Sequence, residues 1–175
     1  PDMIELYNRH GLDAERLNAL ETRGNTYNLG VPSLPQRFRR MFDGDILNIG
    51  KHQWQVIVGY GHSPEHASLY CESLGVLISG DMLLPRISTN ISVFAATPHD
   101  NHLGWFLSSL QRIKKLPDDT LVLPSHGQPF RGLKARIAQL EAHHEERCET
   151  LLAAMHKPCH AAELLPILFS RPLAT

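Results

Sequence analysis

The sequence has few cysteines and no long apolar run, and each shortage excludes a class of protein. Its three cysteines, Cys71, Cys148 and Cys159, are odd in number and lack CxxC spacing, and no secretory signal pattern is present. These features indicate a reducing compartment, and we expect the cytoplasm. The longest apolar stretches, such as 164–169, fall far short of the roughly 20 residues that a membrane-spanning helix needs, so no membrane association is expected.

The sequence also has almost no net charge. It carries 17 Lys and Arg against 18 Asp and Glu, a formal net charge of -1. The basic field that attracts nucleic acid is therefore missing, and nucleic acid is not an expected partner. The length of 175 residues and the 42% hydrophobic content predict one globular domain, or one domain with a small appendage.

Apolar periodicity and turn residues predict an α/β fold. The first forty-odd residues read as short helices, and the turn Asp43-Gly44-Asp45 precedes a strand at 54–58. Ser63-Pro64 predicts a short helix through His66, and Thr97 with its neighbours predicts the capped start of a helix that stops before Pro117. Further strands are predicted at 75–79 and 120–123, followed by a long helix from 133 and a short one ending at 168.

Three of these predicted strands end in a polar motif with a side chain that binds metals. The three side chains are His62, Asp81 and His126. Ligands gather at the carboxyl ends of strands in open α/β folds, so we expect these three residues to face one pocket. Neutral imidazole and carboxylate suit zinc, and also iron or manganese.

The motifs around these residues resemble the later motifs of the metallo-β-lactamase-fold hydrolases, which include glyoxalase II-like enzymes. The resemblance rests on three runs in order, which are Gly61-His62-Ser63-Pro64-Glu65-His66, Ser79-Gly80-Asp81 and Pro124-Ser125-His126-Gly127, with the turn at 43–45 ahead of them. It implies a partial αββα sandwich, namely its later half at 43–131. Residues 1–42 would be a helical lid or insertion, and 132–175 an incomplete, winged-helix-like helical appendage.

The resemblance also implies the roles of the site residues. His62 would complete one metal site, Asp81 would bridge two divalent metal ions, expected to be zinc, and His126 would complete the second site. The family's earlier HxHxDH motif has no counterpart in this sequence. We therefore expect a piece of a longer protein, which binds metal weakly or not at all and is inactive alone.

The function that the resemblance implies is hydrolysis of a thioester or another ester by a metal-bound hydroxide. One alternative is a nuclease or phosphodiesterase of the same fold, for which Arg37, Arg39 and Arg40 offer a basic cluster. Another alternative is a metal-free interaction module. Half a sandwich would leave apolar surface exposed, so we expect a homodimer or association with the missing segment.

Several residues have simpler interpretations. His66 is expected to support the site rather than bind metal, and Cys71 is expected to be a buried structural thiol. His99 and His102 are minor candidates for the pocket rim. His144 is expected to pack on the apolar face of the long helix.

Overall fold

The computed structural model describes residues 3–24, 27–31 and 33–169, with only the backbone given at 27 and 28. These residues fall into two compact units. One unit draws on 1–38, 94–98 and 144–175, and the other on 39–93 and 99–143. His62, Asp81 and His126 all belong to the second unit.

A five-stranded sheet forms the frame of the second unit. Its strands run in chain order across the sheet: β1 (Ile46–Ile49), β2 (His52–Gly59), β3 (His66–Cys71), β4 (Val76–Gly80) and β5 (Leu121–Pro124). The first three pairings are antiparallel, and β4 pairs with β5 in parallel. Therefore β2, β4 and β5 point in the same direction, and their carboxyl ends lie at one edge of the sheet.

Helices cover one face of this sheet. The parallel step from β4 to β5 passes through α4 (His102–Ile113), and β5 leads into α5 (Leu133–Ala154). Leu77 lies opposite Tyr70 on one side and Val122 on the other. This row packs in one buried cluster with apolar residues of both helices, which are Phe106, Leu110, Ile113, Leu133, Ile137 and Leu140. The i, i+3, i+4 and i+7 spacing places these residues on one side of each helix, so their burial holds the helices to the sheet.

Outside this cluster, Arg112 joins α4 to β2 and to the turn before β1. Arg112 donates to both oxygens of Asp43 at 2.7 and 2.8 Å, and to the Val58 carbonyl at 2.7 Å. The Val58 N–H in turn donates to Asp43 Oδ1 at 2.8 Å. The turn before β1 is thereby fixed to the last turn of α4.

Other apolar side chains of the sheet remain exposed. Ile78 is 38% exposed although its neighbour Leu77 is fully buried, because the two side chains point to opposite faces. On β1, which is the outermost strand on its side of the sheet, Ile46 and Ile49 are each about half exposed.

The first unit is helical. It contains α1 (Met3–Arg9), α2 (Ala14–Arg23), α3 (Tyr27–Gly30) and α6 (Ala161–Leu168), together with the second part of α5. Asp13 caps α2 by accepting the Arg16 N–H at 2.9 Å. The Ala162 N–H donates to the His10 carbonyl at 3.0 Å and so joins the start of α6 to the end of α1. None of the helices in the described ranges is long and apolar enough to cross a membrane.

Most predicted elements are confirmed, but two helix starts are wrong. Residues 60–65 form a loop and His66 begins β3, since the antiparallel pairing of Gly59 with His66 extends the backbone there. The helix predicted from Thr97 begins at His102, because the Asn101 side chain caps it by accepting the Gly104 N–H at 2.8 Å. The short strands β1 and β3 were not predicted from the sequence.

Candidate metal centre

The three predicted site residues lie together at the edge where β2, β4 and β5 end. His62 is in the loop after β2, Asp81 directly follows β4, and His126 comes two residues after β5. His62 Nε2 is 3.5 Å from Asp81 Oδ2, and His126 Nε2 is 3.5 Å from Asp81 Oδ1. Each carboxylate oxygen therefore faces a different imidazole.

This spacing differs from that of direct hydrogen bonds. A hydrogen bond between an imidazolium and a carboxylate is about 2.7–2.9 Å long, which is well below 3.5 Å. Two ligand atoms bound about 2.0–2.1 Å from a tetrahedral zinc ion are about 3.3 Å apart, which is close to both separations. The donor atoms thus have the spacing of ligands that share a cation.

A backbone carbonyl fixes the ring of His62. His62 Nδ1 lies 2.8 Å from the Asn90 carbonyl oxygen, which accepts but cannot donate. Nδ1 must therefore carry the proton in this contact. In the neutral ring, Nε2 then presents a lone pair toward Asp81, as a metal-binding histidine does.

Asp81 is held by its side chain and by its backbone. The Ser125 hydroxyl donates to Asp81 Oδ1 at 2.6 Å, and the Thr89 hydroxyl donates to the Asp81 carbonyl. The Asp81 N–H donates to His66 Nε2 at 3.1 Å. Ser125 therefore orients the carboxylate, and Thr89 and His66 hold the backbone that carries it.

His66 supports the site from the start of β3. Burial lowers the pKa of His66 below its ordinary value, the neighbouring His62 lowers it further, and Asp81 partly offsets both effects. A neutral ring is what the contact requires, since Nε2 accepts from Asp81. Nε2 is thus engaged, while Nδ1 is buried without a hydrogen-bond partner among the described residues.

Glycines allow the two close approaches that shape the site. At Gly61, a Cβ atom would lie 2.6 Å from the His102 carbonyl oxygen and from Phe106 Cβ. At Gly80, it would lie 2.6 Å from His66 Cε1. Both residues have positive φ, +104° and +53°, which side chains disfavour, so glycine is needed at each position.

Exposure differs among the site residues. The side chains of His62 and Asp81 are 28% and 27% exposed, whereas that of His126 is 69% exposed. Within the ranges given above, no three His, Cys, Asp or Glu side chains form a group able to hold one metal ion. Asp81 pairs with each histidine separately.

The minor candidates make none of the contacts described above for His62, Asp81 and His126. His102 is buried, and its ring packs edge-to-face on Trp105 with centroids 5.1 Å apart. Cys71 is fully buried on β3, as predicted, with Sγ 3.4 Å from the Ser73 hydroxyl. Arg37, Arg39 and Arg40 are exposed.

Three residues that hold the site, Thr89, Asn90 and Ser125, were not predicted from the sequence. Ser125 lies directly before His126 in one of the three motif runs, so its position was a usable signal. Asn90 acts through its carbonyl oxygen, which every residue has, and no sequence signal identifies it.

Comparisons with known proteins identify the class to which this fold and site belong. The family model for the metallo-beta-lactamase superfamily matches residues 5–126. A beta-lactamase domain protein from Burkholderia ambifaria, seen in a crystal structure, is similar with a TM-score of 0.82 and 50% identity over 94% of this chain. A metallo-beta-lactamase family protein from Thermus thermophilus gives a TM-score of 0.79 and 32% identity over 95% of this chain.

Curated relatives agree with the structural ones. A protein of Bacillus subtilis (strain 168) named "Probable metallo-hydrolase" is 31% identical over 124 residues, which is 69% of this chain and 39% of that protein. A hydroxyacylglutathione hydrolase of Idiomarina loihiensis is 33% identical over 95 residues, which is 54% of this chain and 34% of that protein. The chain also spans only 47% of the Burkholderia protein and 52% of the Thermus protein.

The chain belongs to the metallo-beta-lactamase superfamily. The resemblance read from its motifs is confirmed, and so is the α/β fold with a C-terminal helical region. Its curated relatives include a probable metallo-hydrolase and hydroxyacylglutathione hydrolases.

Proposed function

We propose that His62, Asp81 and His126 hold divalent metal ions for a hydrolytic reaction. The observation that carries this proposal is the contact between His62 Nε2 and Asp81 Oδ2 at 3.5 Å. Because Nδ1 is committed to the Asn90 carbonyl, a neutral His62 turns a lone pair toward a carboxylate oxygen. Two electron-rich atoms in this arrangement repel each other, and a cation between them removes the repulsion.

The donor set fits two ions that share Asp81. His62 with Oδ2 would hold one ion, and His126 with Oδ1 the other. Imidazole and carboxylate suit zinc, and iron or manganese are acceptable alternatives. Catalytic zinc sites usually have three protein ligands, so each pair needs a further ligand. We therefore infer weak metal binding by this chain alone.

The chemistry proposed for this site is hydrolysis. With divalent ions bound, the site would hold water whose pKa is lowered toward about 7, which would supply a nucleophile at neutral pH. The chain's own residues orient the ligands. Ser125 fixes one carboxylate oxygen of Asp81, and Asn90 fixes the His62 ring. His66 accepts from the Asp81 N–H and so fixes the backbone directly after β4.

For the substrate class we propose a thioester or another ester. Several relatives at about 30% identity are named hydroxyacylglutathione hydrolase, and an acylated glutathione is a thioester. A phosphodiester is the second candidate, favoured by the exposed Arg37, Arg39 and Arg40. Steep weakening of RNA or DNA binding with added salt would favour this second candidate, since phosphate contacts release counterions.

Zinc titration of the metal-free chain by calorimetry tests the metal proposal. We expect binding with a dissociation constant above about 1 μM, because two protein ligands per ion fall short of three. Asp81→Ala should weaken binding at least about 10-fold, since it removes a ligand from both pairs. His52→Ala is the matched control, because it removes a histidine at the opposite end of β2.

The outcomes of this titration separate the alternatives. Equal affinity in the wild-type chain and Asp81→Ala would contradict the proposed ligands. No binding of zinc, iron or manganese would favour a metal-free interaction module. Binding tighter than about 1 μM, with turnover of an acylglutathione thioester, would contradict the expectation that this chain alone is inactive.

We propose the cellular compartment and the association state of the protein from other observations. Cys71, Cys148 and Cys159 are free thiols, which supports a reducing compartment such as the cytoplasm. Exposure of Ile46, Ile49 and Ile78 on the sheet supports association with a second copy or with a missing segment of the fold. Residues 1–42, 43–131 and 132–175 remain the proposed divisions of the chain.

A further inference from the structure

One loop contacts His62 and Asp81 and passes close to Gly127, which follows His126. This site loop, residues 82–90, begins directly after Asp81, and its Thr89 hydroxyl returns to the Asp81 carbonyl. The Asn90 carbonyl accepts from His62 Nδ1 at 2.8 Å. A Cβ at Gly127, beside His126, would lie 2.7 Å from Pro85 Cγ. The path of the site loop therefore sets the surroundings of His62 and Asp81 and limits the space beside Gly127.

The middle of the site loop is not fixed by burial. Leu84 is buried, but residues 86–88 are exposed, and Ile87 is 60% exposed. A loop that buries little apolar surface at its centre needs other bonds to keep one conformation. The residue that supplies these bonds lies on α5.

Arg136 bridges two carbonyls of the site loop. Its Nε donates to the Leu84 carbonyl at 2.7 Å, and its Nη2 donates to the Ile87 carbonyl at 2.9 Å. Its Nη1 donates to the Gln139 side chain on the same helix at 3.2 Å. None of these acceptors carries a formal charge. The charged guanidinium therefore binds two backbone carbonyls and a side-chain amide rather than a carboxylate.

We propose that Arg136 is a positioning residue for the candidate metal centre. Arg136 holds the carbonyls of Leu84 and Ile87 and so fixes the path of the site loop. This path places the Asn90 carbonyl next to His62 Nδ1. The role of Arg136 in metal binding rests on the proposed function above, while its role in orienting His62 does not.

The chemistry of arginine suits this task. The planar guanidinium offers several donors in a fixed fork, so two carbonyls three residues apart are held at a set distance. Lysine would offer a compact charge on a flexible stem and no such fork. Partial burial also lowers the pKa of Arg136 from its ordinary value, which agrees with a group removed from water to make these bonds.

Nitrogen-15 NMR of the histidine rings in the metal-free chain tests the proposal. In the wild-type chain we expect His62 to show the tautomer with the proton on Nδ1. Arg136→Met should shift His62 toward a mixture with the Nε2 tautomer, because the Asn90 carbonyl is no longer held in place. Zinc affinity measured by calorimetry should fall about 10-fold or more, as for other groups that orient ligands.

Arg131→Met is the matched control. Arg131 precedes α5 and also donates to a backbone carbonyl, that of Asp119, which lies outside the site loop. This variant should leave both the His62 tautomer and the zinc affinity unchanged. Arg136→Lys keeps the charge but loses the fork, and it should shift the tautomer in the same direction as Arg136→Met.

A second variant keeps the test decisive if Arg136→Met does not fold. Thr89→Val removes the hydroxyl that returns the loop to Asp81, with little change of shape, and should shift the His62 tautomer as well. An unchanged His62 tautomer in a folded Arg136 variant, even with lower thermal stability, overturns the proposal. Absence of zinc binding in every variant counts against the metal proposal only, since the tautomer shift is measured without metal.

Discussion

The substitution Gly80→Ala tests the packing between Gly80 and His66 most directly. Gly80 ends β4 with φ of +53°, and an added Cβ would lie 2.6 Å from His66 Cε1 and 2.7 Å from Nε2. The left-handed conformation costs a residue with a side chain about 1–2 kcal/mol. Forcing a methyl group into a filled space costs about 1–3 kcal/mol more. We expect a total loss of roughly 2–5 kcal/mol in the free energy of unfolding.

Gly75→Ala separates these two contributions. Gly75 has a similar φ of +61°, but its added Cβ would meet nothing within 4 Å. This control should therefore lose only the backbone contribution of about 1–2 kcal/mol. Urea unfolding followed by circular dichroism measures the free energy of unfolding of both variants. An unchanged slope of this free energy against urea concentration would show that unfolding exposes the same surface.

A double substitution tests whether the His66 ring is the cause. If the methyl group collides with the ring, Gly80→Ala should cost less in the His66→Ala background than in the wild-type background. Equal losses for Gly80→Ala and Gly75→Ala, within about 0.5 kcal/mol, would refute the reasoning. The His66 ring would then move aside without cost, and it would not be a fixed support of the Asp81 backbone.

Two further predictions concern the frame of the second unit. Leu77→Ala should lose about 2–5 kcal/mol in urea unfolding, and the neighbouring Ile78→Ala less than about 1, because Leu77 is 0% and Ile78 38% exposed. Equal losses would contradict the assigned core face. Burial raises the pKa of Asp43, but the Val58 N–H and the Arg112 guanidinium outweigh this effect and leave the pKa below its ordinary value of 3.8. Ionised Asp43 therefore stabilises the fold above about pH 4, and this contribution is lost as pH falls through the lowered pKa. Relative to Asp43→Asn, the wild-type chain should lose a measurable amount of stability between pH 5 and 3, up to about 1 kcal/mol because the pair is exposed; parallel curves would contradict this.

The proximity of His62, Asp81 and His126 could be predicted from the sequence because their positions depend on strand ends. His62, Asp81 and His126 each follow an apolar run closely, and strands that point the same way bring such positions to one edge. The parallel pairing of β4 with β5 meets this condition, and two antiparallel steps restore the direction of β2 relative to β4. No distance was needed to predict that these three residues would meet.

The helix starts were harder to predict because capping signals compete locally. Ser63-Pro64 has the form of a helix start, yet the pairing of β2 with β3 keeps the backbone extended from His66. Thr97 and Asn101 both precede the apolar stripe of α4, and the side chain of Asn101 makes the capping bond. Short polar signals of this kind are decided by tertiary pairing, which a local pattern does not contain.

The hydrogen bonds that hold the site residues were the hardest feature to predict, because their acceptors are backbone carbonyls. Arg136 binds the carbonyls of Leu84 and Ile87, and the Asn90 carbonyl binds His62. Side-chain identity at these three acceptor positions is irrelevant to those bonds, so the site should tolerate changes there that keep the loop path. Changes at Arg136 or Thr89, in contrast, remove the donor of such a bond. The sensitivity of this site to substitution should therefore follow the donors of the loop bonds rather than proximity to His62.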